Sequence, residues 1–196
     1  MRREFHVRFC ERLGVKLLRA THLVILSCGH AAEALAWTKA VMTKLGLTIS
    51  EAKTSLKDAR KERFDFLGYS FGPHWFKKNG KWYLGASPSK KSAQRFKTKV
   101  GDMLVPANLA PWEDVCDQLN SLLLGWSGYF SYGTTASAYK HVDWHVYQRV
   151  RDFLARRHKV KGRGTARFSC DIVYGELGLI RLERLPRSHV PAVGPT

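Results

Sequence analysis

At 196 residues, with 44% hydrophobic side chains, the chain has material for one folded domain or two small ones. Lys and Arg outnumber Asp and Glu 33 to 16, a formal net charge of +17. That excess excludes a neutral, mixed-sign surface and favours a polyanionic partner, because neutralising phosphates releases condensed counterions.

No apolar run is long enough to span a bilayer, and the charged start Met1-Arg2-Arg3-Glu4 has no signal-peptide apolar core. The expected address is a bacterial cytoplasm, with no membrane partner. An organelle is the alternative, which the Arg-rich start fits and Glu4 and Glu11 oppose. Cys10, Cys28, Cys116 and Cys170 are far apart and form no CxxC, so the chain predicts reduced, mostly buried thiols rather than a zinc ribbon or a disulfide framework.

Val15–Leu18 and Leu23–Leu26 are short apolar runs around Arg19-Ala20-Thr21-His22, the outline of a hairpin with a polar tip. Leu35, Thr38, Val41 or Met42, and Leu45 recur at helical spacing, and Gly46 suits a C-cap. Leu47–Ser50 reads as a strand, and Phe64–Phe71 as one strand bent at its glycine. Asn79-Gly80, between Trp75-Phe76 and Trp82-Tyr83-Leu84, signals a two-residue hairpin turn.

The texture changes at Ser87-Pro88. Ala93, Phe96, Val100 and Leu104 make a helical stripe. After a linker over residues 106–111, a second helix is expected over residues 112–132, with Val115, Leu119, Leu122, Trp126 and Phe130 inward. Glu113, Asp114 and Asp117 in its first turns complement the helix dipole. A third helix, residues 136–158, has Val142, Val146, Val150 and Phe153 inward. A basic loop follows, and a Pro-containing tail from Pro186 is expected to be disordered. The fold class is therefore α+β, with β-hairpins and a helix over residues 1–86, a three-helix unit over 87–165, and an extension over 166–196.

Residues 77–101 hold eight Lys or Arg and no acid, and residues 140–167 hold nine against Asp143 and Asp152. Solvated faces mix both signs, so these runs point to phosphate binding, without distinguishing RNA from DNA. The candidate contacts are Lys90, Lys91, Arg95, Lys97 and Lys99, then Arg149, Arg151, Arg156, Arg157, Lys159, Lys161 and Arg163. In Gly125-Trp126-Ser-Gly-Tyr129-Phe130-Ser-Tyr132, Trp126 and Phe130 read as core, whereas Tyr129 and Tyr132 suit either packing or base stacking. His141 and His145 share one helical face, but no further Cys or His completes a zinc set. No pair of carboxylates ends a strand, as two-metal phosphoryl chemistry would need.

These residues together resemble the C-terminal part of a group II intron-encoded reverse transcriptase/maturase. Leu45 to Thr54 is similar to the segment after the palm hairpin, in which Lys53 would sit near the incoming nucleotide. Phe66-Leu67-Gly68-Tyr69 resembles the strand motif that closes the palm and supports the primer. Pro88 to Lys99 resembles the first thumb helix, and Leu119 to Phe130 with Trp144 to Arg157 resembles the maturase-specific domain.

Two departures matter. The family's hairpin tip reads Tyr-Ala-Asp-Asp, and Thr21 and His22 stand at the two aspartate positions. The fingers and first palm strand would lie before Met1. The resemblance implies Mg²⁺ for the full-length family, but its ligands are missing, so no catalytic residue and no cofactor are expected. It implies an RNA-binding, maturase-like fragment that assists folding and splicing of a group II intron RNA, with DNA as a further partner. Polymerase activity would require a separate N-terminal half; a remnant without function is the other alternative.

Overall fold

The computed structural model describes residues 24–76, 80–162 and 164–185. Most of the expected N-terminal hairpin and the whole tail from Pro186 lie outside them, and Val24, Ile25 and Leu26 run without regular structure. Backbone contacts divide the chain into two compact units, Met1–Leu56 and Lys57–Thr196. This division falls before the strands rather than after them.

In the first unit, helix α1 spans Ala31–Lys44. Gly46, at φ +69°, ends it as the sequence suggests: its N–H reaches the Thr43 carbonyl at 3.0 Å and the Leu47 N–H reaches Met42 at 2.9 Å. That pair of bonds is a Schellman cap, which only a left-handed residue closes easily. Leu47–Ser50 is not a strand; it leads directly into the 3₁₀ turn Glu51–Lys53.

The second unit opens with three antiparallel strands in the order β1 (Phe64–Phe66), β2 (Tyr69–Phe76), β3 (Lys81–Pro88). Phe64–Phe71 is thus a hairpin and not one bent strand. Phe66 pairs with Tyr69, which leaves Leu67-Gly68 as a two-residue turn at φ +47° and +80°. Positive φ at both positions is the type I′ geometry that matches strand twist. The second hairpin joins β2 to β3, with Phe76 paired to Lys81; Asn79 of the expected Asn79-Gly80 turn lies outside the described residues. Trp75 and Trp82 face each other across that ladder, edge to face at 5.3 Å.

β3 passes into helix α2 (Lys90–Met103) through Ser89, whose hydroxyl accepts the Ser92 N–H at 3.2 Å as an N-cap. Helices α3 (Trp112–Tyr129) and α4 (Ala136–Arg157) follow. Phe96 and Val100 of α2, with Leu104 at its C-cap, share one core with Val115, Leu119 and Leu123 of α3 and Val142, Val146 and Val150 of α4. Leu123 is the fully buried residue of its turn, and Leu122 only packs against the core. The result is the α+β fold read from the sequence, a sheet followed by a three-helix body.

Two seams tie the sheet to the helices. At the first, Tyr69 donates to the Tyr129 carbonyl at 2.6 Å and Tyr129 donates to the Leu67 carbonyl at 2.7 Å, while the Ser89 N–H donates to the Gly68 carbonyl at 2.8 Å. At the second, the Thr134 N–H donates to the Ala86 carbonyl at 2.6 Å.

The segment after α4 is part of the core. Phe168, Val173, Leu179 and Leu182 are buried, although the segment contains only a π turn (Ile172–Glu176) and a 3₁₀ turn (Leu182–Arg184). Its backbone is held by side chains of α3 and α4. Asn120 accepts from the Ile180 N–H at 2.8 Å and donates to the Gly178 carbonyl at 2.9 Å. The two carboxylate oxygens of Asp143 accept the Leu182 and Glu183 N–H groups, each at 2.9 Å.

The expected burial of the thiols is corrected: of the cysteines described, Cys116 is buried and Cys28 and Cys170 are exposed. No helix among the described residues is long and apolar enough to cross a membrane.

Candidate nucleic-acid interface

Helix α2 sorts its residues by face. Phe96 and Val100 are buried, and Lys90, Lys91, Arg95 and Lys99 are exposed, with Lys97 half-buried. Among the described residues none of these five cations makes an ion pair. Unpaired cations along one helix present a row of donors to an extended polyanion. Arg95 and Lys99 also edge a cleft of about 380 Å³ between α2 and α3, floored by Phe96, Trp126 and Phe130. The buried Trp126 Nε1 has no hydrogen-bond partner among the described residues.

The end of α4 is less uniform. Arg156, Lys159 and Lys161 are exposed. Arg157 is also exposed, but its guanidinium donates to the Ala110 and Leu109 carbonyls at 2.6 and 3.2 Å, so it clamps the α2–α3 linker. Arg151 is corrected as a phosphate contact: its side chain is 7% exposed, bonds Gln148 and Asp152, and lies over the Tyr147 ring at 5.6 Å. It projects from the same side of α4 as Tyr147 and Leu154, which faces the core. Arg149 is half-buried, beside α2. Arg163, Thr21 and His22 lie outside the described residues.

Trp126 and Phe130 are core residues, as expected. Tyr129 and Tyr132 are about half exposed and border, with Phe66, Leu67, Tyr69 and Phe71, an aromatic cleft of about 340 Å³. The residues of the Phe-Leu-Gly-Tyr motif therefore form a turn that is gripped by the end of α3. Lys53 belongs to the other unit, in the turn Glu51–Lys53.

His145, which shares a helical face with His141, has neighbours of another kind. Burial holds its imidazole below the usual histidine range, and Lys97 and Arg149 push it the same way, against a hydrogen bond with the Lys97 backbone. Its place beside those two cations was legible only in part, since His145 and Arg149 are one turn apart but Lys97 comes from another helix. Among the described residues no group of three or more His, Cys, Asp or Glu is placed to hold a metal ion.

Fold and surface together define a small basic α+β protein whose three-helix body carries its charge outward. Residues 93–169, which cover most of α2 and all of α3 and α4, match the family model of the group II intron, maturase-specific domain. Over those residues the helical body is similar to the group II intron maturase-specific domain. A comparison with curated proteins gives no match.

Proposed function

We propose that the helical body binds folded group II intron RNA and supports splicing by holding the RNA in its active fold, while the RNA performs the chemistry. The observation that carries this reading is the cationic row Lys90, Lys91, Arg95 and Lys99, without ion pairs among the described residues, on a helix most of which lies in the region similar to the maturase-specific domain. Phosphate contacts of this kind set position and affinity, and the exposed Tyr129 and Tyr132 rings supply faces on which unpaired bases stack. In this reading the chain supplies no polymerase chemistry and no metal, because Thr21 and His22 replace the family's aspartates.

The test is a titration of the protein against a group II intron transcript between 50 and 200 mM salt. Several phosphate contacts predict an affinity that falls by orders of magnitude over that range. Replacing Lys90, Lys91, Arg95 and Lys99 together by Gln should flatten the logarithmic salt slope by about one for each contact removed. An affinity that is flat in salt, or a fourfold variant with the parent slope, rules the reading out.

A further inference from the structure

We infer that Lys97, His145 and Arg149 form a seat for one phosphate oxyanion of a nucleic-acid backbone. The inference rests on the RNA-binding reading and narrows it to a site between α2 and α4.

Lys97 comes from α2, and His145 and Arg149 come from successive turns of α4. Arg149 reaches across to α2: its Nη2 is 3.8 Å from the position a Cβ on Gly101 would take. The guanidinium therefore lies against the α2 backbone at Gly101. His145 Nε2 and Arg149 Nε are buried and have no hydrogen-bond partner among the described residues. Among the described residues no carboxylate pairs with any of the three side chains. The charged groups that face His145 are Lys97 from α2 and Arg149 from its own helix.

Unpartnered polar nitrogens beside clustered cations are unfavourable in an empty protein. One tetrahedral oxyanion removes that cost. A phosphate oxygen is the acceptor that an Arg fork and a Lys ammonium bind most strongly, through charge-assisted hydrogen bonds. Surface cations such as Lys91 lack these features, since they are solvated and nothing near them is left unsatisfied.

Occupancy has a pH signature. Burial, with the Lys97 and Arg149 cations, pushes the free imidazole's pKa below the usual histidine range. A phosphate on Nε2 favours the protonated form, so binding takes up a proton. Affinity should therefore rise as pH falls from 8 to 6, by at most about tenfold per unit.

The experiment measures affinity for a group II intron transcript, at both pH values and across salt, for the parent, Lys97→Gln, His145→Gln and Arg149→Gln. A parallel NMR titration follows the His145 ring protons with inorganic phosphate alone, and circular dichroism checks that each variant is folded. Lys97→Gln and Arg149→Gln should each flatten the salt slope by about one. His145→Gln should keep the slope at pH 8 and lose the gain at pH 6. Inorganic phosphate should shift the His145 signals and raise the midpoint of its titration. If RNA binding is salt-dependent but all three variants match the parent in slope and pH response, the seat is overturned. If parent binding is flat in salt, the RNA reading falls, and the phosphate titration decides the seat: a shift of His145 sustains it and no shift overturns it.

Discussion

Replacing Asp143 by Ala should destabilise the second unit by about 2–5 kcal/mol, because it strands the buried Leu182 N–H at about 1–3 kcal/mol and the part-buried Glu183 N–H at about 1–2 kcal/mol. For a domain of this size that is a fall of about 5–15 °C in Tm. Asp143 is 5% exposed and caps a 3₁₀ turn nearly forty residues further along the chain, on which the burial of Leu182 depends. Hydrogen exchange should show the Leu182 and Glu183 amides opening first, ahead of the amides of α4.

The same side chain carries a pH dependence. Burial pushes its carboxyl above the usual carboxylate range, against the pull of the Glu183 and Leu182 N–H groups and of Arg181. The folded protein then holds this proton more tightly than the unfolded chain does. The group's contribution is complete below its ordinary value of 3.8 and diminishes as pH rises through the raised folded value. Asp143→Asn cannot ionise and keeps one of the two acceptors. Melts from pH 3.5 to 7 should show the advantage of the parent over Asp143→Asn shrinking with rising pH. A constant difference would mean that the carboxyl titrates alike in both states.

How far this arrangement could be read in advance depends on where each residue's partners lie. The stripes Phe96, Val100, Leu104 and Val142, Val146, Val150 were legible because a helix repeats its buried face every three to four residues. The exposed row Lys90, Lys91, Arg95, Lys99 was legible as the complement of the first stripe. Arg151 could have been assigned by the same rule, since it follows Tyr147 by four residues and precedes Leu154 by three. A count of charge ignores the face from which a side chain projects, and so does not separate Arg151 from Arg156. The core positions Phe168, Val173, Leu179 and Leu182 carry no period, because irregular backbone sets them. What fixes that backbone is Asn120 and Asp143, polar residues whose partners are distant in sequence. The family match ends at residue 169, before most of this segment, so neither periodicity nor family pattern marks it as core.

The turn at Leu67-Gly68 escaped for a different reason, and it supports the second large effect. A type I′ turn favours Asn-Gly, and a leucine at its first position hides the signal. Gly68→Val should cost about 3 kcal/mol or more. Its φ of +80° places a side chain in the left-handed region, at about 1–2 kcal/mol. A Cβ there would also meet Ser92 Oγ at 2.9 Å and Phe130 Cζ at 3.2 Å. Phe130 is 5% exposed and tilted against Trp126 and Tyr69, so the ring cannot retreat without disturbing the core, which adds about 1–3 kcal/mol. Leu67→Asn should act in the opposite direction. Leu67 is 67% exposed at φ +47°, and Asn adopts that conformation more easily, so a gain of about 0.5–1 kcal/mol is expected. The bond from Tyr129 ends on the Leu67 carbonyl and survives the change. Urea unfolding of both variants separates backbone from side chain at this seam. A loss for Leu67→Asn comparable with that for Gly68→Val would show that the leucine side chain, and not the backbone turn, holds the motif against α3.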